Sequence, residues 1–81
     1  MLAKVYVTPK KAILDPQGKA IVHSLHSLHY EEVVDVRMGK YLELRLTGLS
    51  RGQAQQRVEE MCSRLLANLV IEDFHFEIVE E

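Results

Sequence analysis

The sequence predicts an α+β fold with elements in the order β-α-β(β)-α-β. The strands form one antiparallel sheet and the two helices pack on one of its faces. Three observations support this. Both ends of the chain alternate apolar and polar residues with period two. Two interior segments repeat apolar residues at helical spacing, each behind a capping signal. Between them, a middle segment returns to period two. The 81 residues contain no linker or low-complexity tract, and they make one domain, residues 1–81.

The first strand is "LAKVYVT", with Ala3, Val5 and Val7 alternating against Lys4, Tyr6 and Thr8. Pro9 ends it, because proline has no N–H for a sheet ladder. In "ILDPQG", Asp15 is placed to cap a helix and Pro16 to open it, where a missing N–H costs nothing. A phosphate loop would need several glycines and usually a Lys with Ser or Thr. Only Gly18 is present, so the motif reads as a helix start. Ile21, Val22, Leu25 and Leu28 then form one apolar stripe.

In "EEVVDVRMGKYLELRLTG", Val34, Val36, Met38, Leu42, Leu44 and Leu46 share one parity through Gly39. Two geometries keep that phase. One is a single long strand bent or bulged at Gly39; the other is a hairpin with an odd loop over residues 39–41. The second helix opens on a Ser50 and Gln53 capping box. Its buried stripe is Ala54, Val58, Met61, Cys62 and Leu65, and Asn68 suits a left-handed cap at its end. The last strand sets Phe74, Phe76 and Ile78 against Asp73, His75 and Glu77.

Hydrophobic residues make up 47% of the chain. A domain this small buries only about 60–65% of the surface its unfolded chain exposes. Some of the apolar surface is therefore expected at an interface with another chain, and self-association, as a dimer or tetramer, is the default expectation. The net charge of −2 gives no basic footprint for nucleic acid. One cysteine, Cys62, allows neither a disulfide framework nor a cysteine metal site. The N-terminus reads as a strand, not a signal peptide, and no run is long enough to span a membrane. A cytoplasmic location is expected.

Candidate chemistry is sparse. His23, His26 and His29 recur every three residues, so two of them could share a metal ion. The drift of such a series around a helix strains a set of three, and surface or boundary histidines explain them as well. Cys62, on the buried stripe, reads as a small hydrophobe. Glu31 with Glu32, and Glu72 with Asp73, are adjacent pairs, poorly placed for shared acid–base work. No nucleophile with a base and an orienting group is visible. The expectation is no catalytic centre, metal set or cofactor site on this chain. "PKK", Arg37 and Lys40 make a small cationic patch near the turns.

Three stretches, "VTPKKAILDPQGKA", "VVDVRMGKYLEL" and "LLANLVIEDFHFEI", resemble in order and spacing the PurS family. These are the small subunits of phosphoribosylformylglycinamidine synthase, and the resemblance covers essentially the whole chain. The family pattern usually has Pro where this chain has Leu69 and often Gly where it has His29. A left-handed helix end at His29 is open to histidine, at a cost. The resemblance implies a non-catalytic subunit in de novo purine synthesis. It would bridge the PurQ glutaminase and the PurL large synthetase and assist ammonia transfer. ATP and Mg would sit on the large subunit. Lys10, Lys11, Arg37, Gly39 and Lys40 match motif positions that the core does not explain, and are the expected partner contacts. The alternative is a stand-alone module binding a small regulatory ligand at a dimer interface.

Overall fold

A computed structural model of the protein describes residues 1–80. Its strands are β1 (Leu2–Pro9), β2 (Lys40–Arg45) and β3 (Glu72–Val79). Its helices are α1 (Pro16–Ser27) and α2 (Arg51–Met61), the second continued by a π-helical turn over Cys62–Leu66. The sheet order is β2-β1-β3, with both neighbours antiparallel to β1. The α+β class, the antiparallel sheet and the two helices are those expected from the sequence. Among the described residues no helix is long and apolar enough to cross a membrane.

The first strand lies at the centre of the sheet, which is why Ala3, Val5 and Val7 are fully buried. Val5 stands between Leu42 and Phe76, and Ala3 between Leu44 and Ile78. The apolar alternation of all three strands is thus in phase and makes one hydrophobic face. Onto that face α2 lays Ala54, Val58 and Cys62. The Ser50–Gln53 capping box forms in both directions.

Met61 of the expected α2 stripe is only half-buried and lies outside the core, and the stripe holds only through Ala54, Val58 and Cys62. Beyond it the Ala67 N–H donates to the Cys62 carbonyl at 3.0 Å, a five-residue step. This wider turn shifts the phase of the face. Leu65 therefore points out, 82% exposed, while Leu66 packs against the core and Ala67 is buried. Asn68 is not a left-handed cap either. Its side-chain oxygen accepts from the Val70 N–H at 3.1 Å and pins the turn into β3.

Gly39 is not a hairpin tip. Residues 33–39 run without a partner strand and join β2, whose pairing with β1 begins at Lys40 opposite Val7. A side chain at Gly39 would collide with the Val7 carbonyl, so glycine is needed where the run enters the sheet.

The seat of α1 differs from the expected one. The core and the residues packed against it include nothing from α1. Instead α1 and residues 33–38 form an arm beyond the end of β1, and the molecule measures 49 × 29 × 14 Å. The cause is local. Pro9 stops β1, the chain turns, and α1 lies against the incoming run rather than back over the sheet.

Candidate partner interface

The arm is fastened at both ends by side chains. Asp15 caps α1 through a hydrogen bond from the Gly18 N–H to Oδ1 at 2.9 Å. Its other oxygen accepts from the Met38 N–H at 2.7 Å, so one carboxylate ties the helix start to the run entering β2. The Met38 N–H first, then the Gly18 N–H, hold the Asp15 pKa below its ordinary value, and Arg37 adds to this. Gly18 is buried, and a Cβ there would collide with the Val36 carbonyl. At the far end α1 closes with His29 in the left-handed region, φ 72°, and the Tyr30 N–H donates to the Leu25 carbonyl at 2.9 Å. The left-handed end anticipated at this position is therefore present with histidine. His26 Nε2 donates to the Val33 carbonyl at 2.7 Å, so this ring fastens the returning chain. Among the described residues no group of three His, Cys, Asp or Glu side chains gathers in one place.

The expected contact residues lie close together but are not equivalent. Lys10 pairs with Asp73 at 2.7 Å, and its N–H donates to the Ile71 carbonyl at 2.9 Å. Arg37 Nη2 donates to the carbonyls of Lys10 and Ile13, each at 2.8 Å. Both cations thus secure the turn after β1, and Gly39 serves the close approach to Val7. Lys11 lines a shallow depression with Pro9, Asp35 and Arg37. Lys11 and Lys40 are exposed, and among the described residues neither side chain has a hydrogen bond or ion pair.

Sequence reasoning missed the apolar surface of the arm. Leu14 is 76% exposed, Leu28 65% and Val34 91%, with Tyr30 and Met38 about half exposed. Scattered apolar residues are ordinary on a surface, but these five lie on the arm and the turns flanking α1, and none of them joins the core. The signal was the mismatch between 47% hydrophobic content and the small core available.

Elsewhere Cys62 is fully buried, and that burial pushes its thiol up, which fits a packing role. The sheet face away from α2 carries Tyr6 against Tyr41, centroids 5.1 Å apart, and stacked on His75 at 4.6 Å. Tyr41 donates to Glu43 at 2.8 Å, and that bond, first among its causes, pushes the phenol up to about 12. An open groove lined by Leu46, Leu49, Gln53, Arg57 and Met61 runs beside α2. No polar or charged side chain among the described residues is buried.

Known proteins match this arrangement along its length. The PurS family, described as phosphoribosylformylglycinamidine (FGAM) synthase, matches residues 2–80. The phosphoribosylformylglycinamidine synthase subunit PurS of Bacillus subtilis (strain 168) is 53% identical over 77 residues, 95% of this chain and 90% of that protein. A crystal structure of B. subtilis PurS superposes with a TM-score of 0.86 at 52% identity and 98% coverage of each chain. A chain of the PurLQS structure from Thermotoga maritima superposes with a TM-score of 0.83 at 26% identity, covering 98% of this chain and 99% of that one. The chain belongs to the PurS family.

Proposed function

We propose that this chain is the non-catalytic small subunit of an FGAM synthase. It joins a PurL large synthetase subunit to a PurQ glutaminase subunit and assists the passage of ammonia between them. The observation that carries this reading is the match over nearly its whole length to a chain of PurLQS from T. maritima. The fold supports it: the arm offers apolar residues that its own core does not use, on a frame fixed by Asp15 and Arg37. In this reading ATP and Mg bind on the large subunit, the complex works in the cytoplasm, and the small subunit also pairs with copies of itself. Lys11 and Lys40, with Lys10, Arg37 and Gly39 shaping the surface beside them, are its partner contacts.

Reconstitution tests this. Matching large and glutaminase subunits are mixed with ATP, glutamine and formylglycinamide ribonucleotide, with or without the chain. Glutamine-dependent product is expected only with it, while ammonium salts support the large subunit either way. Unchanged activity together with failure to co-elute with either subunit would remove the proposal.

A further inference from the structure

β3 forms the edge of the sheet farther from the arm's entry, with β1 between it and β2. Its odd-numbered residues turn their backbone groups to β1, a pattern the Lys10 N–H extends by donating to the Ile71 carbonyl at 2.9 Å. The even-numbered residues from Glu72 to Ile78 therefore present their N–H and C=O groups outward. The two ends of that edge are closed. The Glu72 N–H donates to the Asn68 carbonyl at 2.7 Å, and the Ile78 carbonyl accepts from Arg51 Nη2 at 2.7 Å. Between them, among the described residues, Phe74 and Phe76 have no backbone partner on that side. Such an edge is a template for another strand. The segment feeding it is apolar and uncovered: Leu65 is 82% exposed, Val70 81% and Leu69 47%. The edge itself is acidic, with Glu72, Asp73, Glu77 and Glu80 and no Lys or Arg among them.

We infer that an extended segment of another subunit adds to this edge as a strand beside β3, with apolar residues alternating with Lys or Arg. The inference rests on the reading of the chain as a bridge and names one surface for it. The alternation of β3 sets the chemistry of the occupant. Phe74, Phe76 and Ile78 lie on the α2 face, so the added strand places apolar residues beside them. Asp73 and Glu77 lie on the open face, so the added strand meets them with cations. Asp73 already holds Lys10 at 2.7 Å, whereas Glu77 accepts only a long hydrogen bond from the Tyr6 hydroxyl, at 3.4 Å. Glu77 is therefore the acid with the most to gain. The bare backbone groups supply direction, and Val70 with its neighbours supplies apolar area where the segment enters. Arg51 closes the edge at Ile78, so the added strand ends there. A second copy's β3 is a poor occupant. The two antiparallel registers of fullest overlap set Asp73 opposite the partner's Glu77, or Glu72 opposite the partner's Glu80, and symmetry makes each acid pair twice.

Hydrogen exchange of the full-length chain, alone and with the matching large and glutaminase subunits, tests this. The outward amides of Phe74 and Phe76 are expected to exchange fast in the chain alone and to slow at least ~10-fold when one of those subunits binds. Two variants at exposed positions test the chemistry. Glu77→Gln removes the charge while keeping an acceptor for Tyr6, and Val70→Ser removes apolar area. Each is expected to weaken binding to that subunit ~5-fold, with self-association and the urea midpoint near wild type. A chain that co-elutes with the subunits while Phe74 and Phe76 still exchange fast overturns this surface and leaves the bridging reading standing. Unchanged binding by both variants overturns the stated chemistry. Protection that rises with the concentration of the chain alone overturns the occupant in favour of a second copy. Failure to bind either subunit removes the bridging reading and this inference together.

Discussion

The body of the molecule, β1–β3 with α2, and its arm, α1 with residues 33–38, are built from the same kind of pattern. Each has a capped helix with an apolar stripe beside an alternating run. In the body the stripe closes on its own strands and leaves Val5, Val7, Val58 and Cys62 fully buried. In the arm a similar stripe leaves Leu28 and Val34 in the open, and hydrogen bonds accepted by Asp15 and donated by His26 and Arg37 take over the fastening. The body is thus held by area removed from water, and the arm by a few directional contacts.

That contrast is open to test, and the largest effect belongs to the body. Val5→Ala empties the centre of the core and should cost about 2–3 kcal/mol, read as a lower urea midpoint with an unchanged slope. Gly18→Ala comes next. The collision with the Val36 carbonyl should cost about 1–3 kcal/mol, partly offset by better helix propensity. Hydrogen exchange should rise over residues 16–38 and stay slow in β1 and α2. An equal rise everywhere would make arm and body one cooperative unit. Ser50→Ala breaks the capping box and should cost ~1 kcal/mol, felt in the body alone.

Acid should separate the two regions further. Because the folded Asp15 pKa is lowered, its contribution is complete above the ordinary carboxylate pKa. It is lost as pH falls through the lowered folded value. Faster exchange of the Met38 amide is therefore expected there before the β1 amides respond. The smallest effect on stability belongs to Val34→Ser. It should stay within about 0.5 kcal/mol in the single chain, because Val34 is already exposed, yet weaken self-association measurably.

The body was legible in the sequence and the arm only in part. Ala3, Val5 and Val7, the capping box and the phase of Phe74, Phe76 and Ile78 each have one economical solution, and the chain adopts it. Ile21, Val22, Leu25 and Leu28 state that one face of a helix is apolar. Periodicity does not state which surface covers it. The candidate contacts were legible as positions but not as roles. A guanidinium serves its own backbone carbonyls as readily as a partner, and nothing in the letters around Arg37 separates the two uses. The π turn after α2 has no sequence signature of its own. It shows in the structure as Leu65 pointing outward while Ala67 is buried.

The arm also changes how the protein travels through solution. Its Cα radius of gyration is 16.1 Å, whereas a compact chain of this length would have ~12 Å. A single copy should diffuse slowly for its mass and leave a sizing column early, in the position of a larger globular standard. Column calibration would then report a dimer where there is one chain. Light scattering or sedimentation equilibrium, which weigh particles without assuming a sphere, are the measurements that count its copies.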